Sequence, residues 1–347
     1  MPVGTRGAVR GLTAGDLVDV GAQIVLANTY HLWVRPGSDV IRDLGGLHVL
    51  MGWSGPILTD SGGYQVHSLR EHVTLDETGA RFRSPEDGAW RTLTPEGAVH
   101  IQEDLGVDVA MALDECIEWP AERARVEQST KRTTRWLQRA RDARRHPERT
   151  ALFGIVQGGT YPDLRAAHAA LLAEMDLDGI AIGGLSVGED PASRLQATEI
   201  AAAELPTDRP RYLMGVGRPI DLVQSIERGV DVFDCVLPTR AGRHGQAWTP
   251  SGRRNLRNAA YARDPRPLDP SCPCVACTTL PRAALRHHAM VDEAVGKRLL
   301  TLHNLTYVFG LLRRVRRAIL AGDEAAWTTL VAEAERATAL ARPEDAG

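Results

Sequence analysis

The sequence predicts an α/β chain folded as a (β/α)8 barrel, with a small hairpin insertion and a lesser subdomain appended at the C-terminal end. Three observations carry this prediction. Eight short apolar runs recur along the chain, each followed by Gly or a polar residue and then by a helical pattern, as parallel strands buried on both faces require. Segment 73–93 breaks the alternation with a polar-apolar pattern and Thr-Gly and Asp-Gly turn signals. Beyond residue 260, Pro265, Pro267 and Pro270 lead into a Cys-rich turn and then helices. The domain boundaries that follow are 1–260 for the barrel and 261–347 for the appended subdomain with the C-terminal helices.

In order, the runs are "MPVGT", "AQIVLANTY", "GPILTDSGG", "VDVAMALDEC", "ALFGIVQGG", "GIAIGGLSVGE", "RYLMGVG" and "GVDVFDCVLPTR". A helix is expected over 94–105, where Thr94 can cap, Pro95 suits the first turn and Glu96 complements the dipole. Another is expected over 219–228, ended by Gly229. The open doubly wound sheet is the alternative, but its Gly-x-Gly-x-x-Gly turn after the first strand is missing. A chain of 347 residues suits one such barrel.

Composition narrows the partners. No apolar run approaches the roughly 18 residues of a membrane span, and "MPVGTR" is no secretory signal, so a cytoplasmic protein with no membrane partner is expected. The net charge is −3, yet residues 235–263 contain no Asp or Glu while holding Arg240, Arg243, Arg253, Arg254, Arg257 and Arg263. Arg313, Arg314, Arg316 and Arg317 form a second cluster. Segregated basic patches on a mildly acidic protein point to a phosphate-rich partner.

A barrel carries its chemistry at the C-terminal ends of its strands. Those ends are Asn28, Asp60, Asp114, Gln157, Gly183 with Gly184, Gly215 and Asp234. Three carboxylates at one mouth repel one another unless their roles are divided. Asp234 is the most telling, since it follows the apolar run "GVDVF" and precedes a Gly-rich loop with Arg240, Arg243 and His244. A carboxylate so placed must be hydrated, paired or chemically employed. An ion pair with Arg240 is the structural alternative. For Asp60 the alternative is an Asx turn before Ser61-Gly62-Gly63, and for Asp114 a helix cap.

Five cysteines, an odd count, make no disulfide framework. Cys272-x-Cys274-x-x-Cys277 instead suits a tetrahedral Zn2+ site lacking one ligand. His287, His288 and His303 are the candidates, and His303 in "LLTLHN" is favoured because a helix returning over the loop could present its imidazole. A closed Cys3His shell makes the metal structural, and the appended unit a zinc-binding subdomain. Cys116 and Cys235 read as small packed residues rather than nucleophiles.

Taken together, "ILTDSGGYQVHSL", "MALDEC", "FGIVQGG", "IGGLSVGE", "YLMGVG", "FDCVLPTRAGRHGQAWT" and "CPCVAC…TLHN" resemble the bacterial tRNA-guanine transglycosylase family, also called queuine tRNA-ribosyltransferase. The match runs in order from Met1 to beyond His303. It implies a zinc-containing TIM barrel that exchanges guanine at the tRNA wobble position for a 7-deazaguanine. The resemblance makes Asp234 the nucleophile and Asp60 the general acid/base. Asp114, Gln157, Gly184 and Leu185 become readers of the base edge, and Tyr64 and Met214 the faces that sandwich the base. Cys272, Cys274, Cys277 and His303 match the family's zinc ligands.

The implied partners are a tRNA with a GUN anticodon, gripped by Arg240, Arg243, Arg253 and Arg254, and a base, guanine or preQ1 (7-aminomethyl-7-deazaguanine). Cys116 in "LDEC" and Val187 in "LSVGE" look like the preQ1 pattern rather than the queuine one. A homodimer is a further family expectation. A non-catalytic tRNA-binding partner subunit is the rival reading, and the retained acid pair speaks against it. Family members usually carry a few dozen residues forming extra strands ahead of "MPVGT"; here Met1 opens that block, so either the start lies upstream or the first strand lacks its lead-in.

Overall fold

In a computed structural model that describes residues 1–63, 65 and 73–340, the eight runs become a parallel barrel. Seven strands form one sheet: β1 (Val25–Ala27), β2 (Ile57–Thr59), β6 (Val109–Met111), β7 (Ala151–Val156), β8 (Gly179–Ile182), β9 (Arg211–Leu213) and β10 (Val232–Phe233). The first run contributes a single parallel bridge, Val3 to Leu26, fastened by Gly4 N–H to Leu26 O at 2.6 Å and Leu26 N–H to Pro2 O at 3.0 Å. The Met1 amino group donates to Phe233 O on the other side. Segment 1–4 thus lies between β10 and β1 and closes the cylinder.

Side-chain parity explains the core. Val3, Leu26, Leu58, Met111, Phe153, Ile155, Ala181 and Tyr212 fill the barrel interior, while their strand neighbours Val25, Ile57, Ala110, Leu152, Ile180 and Leu213 pack outward against the helices. Extending the inward parity past the ends of all the strands but β6 gives Asn28, Asp60, Gln157, Gly183, Met214 and Asp234. The next inward position on six strands is therefore a mouth position.

The helices end as their sequences dictate. In helix Pro95–Leu105 the Thr94 Oγ accepts from Gly97 N–H at 3.0 Å, and Gly106 closes it in the left-handed region at φ 68°. Helix Pro219–Glu227 is followed by Gly229 at φ 90°.

The insertion holds one strand more than a simple hairpin. β3 (Val73–Leu75), β4 (Ala80–Arg83) and β5 (Trp90–Leu93) make a three-stranded antiparallel sheet, because each of its two turn signals, Thr78-Gly79 and Asp87-Gly88, reverses the chain. Phe82 and Tyr30 pack ring to ring at 5.4 Å, seating this sheet on the helix Thr29–Val34 that leaves β1.

Past β10 come helix Leu237–Arg243 and an antiparallel ribbon, β11 (Gln246–Thr249) with β12 (Gly252–Asn255). A small core of Ala247, Leu256, Tyr261, Leu268, Cys274 and Cys277 lies beneath it. The long helix Ala294–Ala321 serves both units: Leu299 and Leu300 join this small core, while Leu302 to Ala318 join the barrel core.

Candidate active site and metal cluster

Asp60 is 8% exposed, and among the described residues no basic side chain pairs with it. Its Oδ2 accepts from Asn28 Nδ2 and from Gln65 Nε2 at 2.7 Å, and its Oδ1 from Thr29 N–H at 2.9 Å. Two of these bonds tie Asp60 to the neighbouring strand end and one to Gln65 past the turn, and none of them goes to the Ser61–Gly63 turn itself, so the Asx-turn alternative falls. Burial pushes its pKa up to about 6 against these donors, and Asp234 adds repulsion.

Asp114 lies off the parity rule, three residues past β6. Its Oδ1 accepts from Ser61 Oγ at 3.1 Å and its Oδ2 from Gln157 Nε2 at 2.7 Å. It caps no helix, since the next one, Arg123–Asp142, starts after Glu122. Burial also raises its pKa to about 6.

Asp234 is held differently. One oxygen, Oδ1, accepts both the Tyr212 hydroxyl at 2.5 Å and the Gly215 N–H at 2.9 Å. Among the described residues no basic side chain pairs with it, and Arg240 is exposed elsewhere, so the ion-pair alternative is not what the structure shows. The buried Tyr212 phenol, its pKa driven well above 10 by burial and by Asp234, stays a neutral donor. Oδ2 has no protein partner among the described residues. Asp234 therefore presents one saturated oxygen and one free one.

The base-reading candidates gather beside these acids. Gln157 is 1% exposed, and its backbone N–H donates to His168 Nδ1 at 2.8 Å. Burial holds His168 near pKa 4, which keeps that nitrogen an acceptor. Gly184 sits at φ 63°, and a Cβ there would overlap Gln157 Oε1, so only glycine lets the loop pass this close. Met214 is half-buried, its Sδ 3.5 Å from where a Gly183 Cβ would stand. Leu185 is buried. Glu189 accepts from Ser186 N–H at 2.6 Å and Val187 N–H at 3.0 Å, fixing the loop after Leu185. Tyr64 lies outside the described residues.

The cysteines separate as their spacing implies. Cys272, Cys274, Cys277 and His303 bring four ligand atoms within 4.8 Å of one another. His303 Nε2–H donates to Trp248 O at 2.8 Å, which leaves Nδ1, 3.2 Å from Cys277 Sγ, as the bare nitrogen facing the thiols. Its neighbour Asn304 grips the same strand, accepting from Trp248 N–H at 2.9 Å and donating to Gln246 O at 3.0 Å. This donor set fits a metal ion. His287 and His288 meet ring to ring at a tilt, centroids 5.7 Å apart, and stand outside the cluster. Cys235 is inert, its thiol pushed up to about 12 by burial, and Cys116 is buried.

Of the four arginines expected to meet RNA, Arg240 is exposed and Arg243 and Arg253 are half-buried. Arg254 differs from that expectation: it is 2% exposed and bonds Ser251 Oγ at 2.8 Å. The cause is ribbon alternation, since Arg254 pairs with Ala247 and shares its inward face, whereas Arg253 points the other way. In the second cluster Arg314 is engaged by Glu333 at 2.6 Å. No helix among the described residues is long and apolar enough to cross a membrane.

Sequence reasoning missed Tyr212, Ser61, Gln65, His168, Arg165 and Glu189. Only Tyr212 carried a signal, being the inward residue one layer below Met214 in "RYLMGVG".

The fold and its mouth define the class first: a parallel β/α-barrel enzyme with carboxylates at its strand ends and a Cys3His cluster outside the barrel. A family model described as queuine tRNA-ribosyltransferase matches residues 1–337. A queuine tRNA-ribosyltransferase from Acetivibrio thermocellus is 50% identical over 320 residues, covering 92% of this chain and 86% of its own length. The protein of the same description from Solidesulfovibrio magneticus is 51% identical over 328 residues (94% and 88%), and that from Desulfosudis oleivorans 48% over 341 (97% and 89%). The chain belongs to the queuine tRNA-ribosyltransferase family, and is an enzyme of the pentosyltransferase type.

Proposed function

We propose that this enzyme exchanges guanine at the wobble position of tRNAs with a GUN anticodon for preQ1, by two displacements at ribose C1′. The observation that carries this reading is the contrast between two acids at one mouth. Asp234 has Oδ1 saturated and Oδ2 free, whereas Asp60 is buried among neutral donors with its pKa near 6.

Breaking the C1′–N9 bond develops positive charge on the sugar and negative charge on the departing base. Oδ2 of Asp234 forms the bond to C1′ as the N9 electron pair leaves, and Asp60 in its acid form supplies the proton to the departing base. The incoming base gives a proton back to Asp60 and displaces the aspartate from C1′. Two inversions give net retention.

Recognition follows from donors and acceptors. The guanine edge offers N1–H and N2–H2, which suit the Asp114 carboxylate, and O6, which suits the Gln157 amide and the Gly184 N–H. Tyr64 and Met214 sandwich the ring. A nucleotide must leave its stack to enter, which favours an anticodon loop, and exposed Arg240 with half-buried Arg243 and Arg253 would meet its phosphates. Val187 and Cys116 support preQ1 over queuine. Cys272, Cys274, Cys277 and His303 would hold Zn2+ in a closed shell, where it would supply structural stability to the subdomain.

The test is exchange of radiolabelled guanine into a tRNA bearing G at the wobble position, followed by competition with preQ1. Label should enter the RNA with native protein and not with Asp234→Asn. Absence of exchange by zinc-loaded native protein would overturn the reading.

A further inference from the structure

Helix Pro162–Ala173 turns Arg165 into the protein interior, where it is 0% exposed. No carboxylate among the described residues forms an ion pair with it. Its hydrogen-bond partners are two backbone carbonyls: Nε donates to Gly159 O at 2.8 Å, and Nη1 and Nη2 both donate to Gly183 O at 3.2 Å. Burial lowers its pKa to about 10, so it is a cation at neutral pH, and Glu189, the carboxylate whose charge acts on it, spends its oxygens on the amides of Ser186 and Val187. An interior guanidinium without an ion pair is costly. Stability alone gives little reason to keep it.

The position of Gly183 O supplies a reason. It belongs to the same peptide unit as the N–H of Gly184. Among the described residues no acceptor takes that N–H. A cation forked onto a carbonyl draws electron density toward the oxygen, and the amide hydrogen at the other end of the unit becomes the stronger donor.

We propose that Arg165 is a positioning residue that polarises the Gly183–Gly184 peptide, so that a charge held in the core strengthens the hydrogen bond to the purine O6 as the base departs. This rests on the reading of Gly184 as a base contact given above. Guanine leaving with negative charge delocalised onto O6 gains more from the sharpened donor than bound neutral guanine does, which places part of the effect in the transition state. The second bond, to Gly159 O, anchors the guanidinium to the loop that follows Gln157, so one side chain sets the spacing of both reading loops.

The test compares competitive inhibition by guanine with that by 2-aminopurine, which lacks O6, in native protein, Arg165→Gln and Arg165→Lys. Gln can still donate to Gly183 O but carries no charge. Guanine should weaken about tenfold in Arg165→Gln and 2-aminopurine less than about twofold, with kcat for exchange falling further than guanine binding. Lys, which keeps the charge with one donor direction, should recover most of the preference. Equal weakening of both bases, or a Lys variant no better than Gln, overturns the proposal and leaves Arg165 a loop brace. If Arg165→Gln does not fold, Arg165→Lys alone decides: a loss of about threefold confined to guanine supports the proposal, and a loss shared by both bases sinks it. Failure of native protein to bind guanine would instead strike the functional reading itself.

Discussion

The Tyr212 hydroxyl donates to Asp234 Oδ1 at 2.5 Å from one layer below, and so determines which oxygen of this carboxylate remains free. Replacing Tyr212 by Phe leaves the ring in the barrel interior and removes only this bond. The expected result is a kcat lowered about ten- to a hundredfold with KM for tRNA changed less than about threefold, because the loss falls on alignment at C1′. Steady-state exchange kinetics checks it.

Asp60 and Asp114 also make stability depend on pH. Both bind their protons more tightly when folded, near pKa 6 against 3.8. Their contribution therefore favours the folded state most below about pH 4 and is lost as pH rises through about 6. Asp114→Asn removes a buried charge, so its melting temperature relative to native protein should be higher at pH 8 than at pH 5, a swing on the order of 1–3 kcal/mol. A difference that stays flat between those pH values contradicts the burial argument.

Gly184→Ala places a methyl against Gln157 at a left-handed φ of 63°. The cost should be about 1–3 kcal/mol of stability. Guanine affinity should fall at least about tenfold, since the loop must retreat from the base. Thermal melts and guanine inhibition constants report the two effects separately.

Zinc analysis should find about one metal ion per chain. His303→Ala strips the fourth ligand and leaves Trp248 O unpaired, so the metal should be lost and stability should drop by several kcal/mol. Stoichiometric metal in that variant would disprove the assigned ligand set.

Arg240→Ala and Arg243→Ala should each reduce the slope of log affinity for tRNA against log salt by about one. Filter binding across a salt series measures this.

The residues legible in the sequence were those fixed by local pattern. Parallel strands buried on both faces announce themselves as apolar runs, so Asp60, Gln157 and Asp234 could be found as the residues that end them. His303 was recoverable because three cysteines in one loop demand a fourth ligand from a returning helix. What stayed hidden depends on tertiary approach. Arg165 looks like any helical arginine until the helix is docked and its guanidinium is seen to span Gly159 and Gly183. Arg254 sits in a basic run whose members differ only by ribbon parity, and one position decides between solvent and core. The third strand of the insertion was missed because two turn signals were read as a single hairpin.

The central claim is that Asp234 carries the ribose between the two bases. The most direct measurement is denaturing electrophoresis, with mass analysis of the tethered peptide, after mixing enzyme with wobble-G tRNA and a base analogue that binds but does not attack. The account predicts an RNA-linked species attached at Asp234 that disappears in Asp234→Asn. An exchange-competent enzyme that never forms such a species, or an Asp234→Asn variant that retains full exchange, would contradict it.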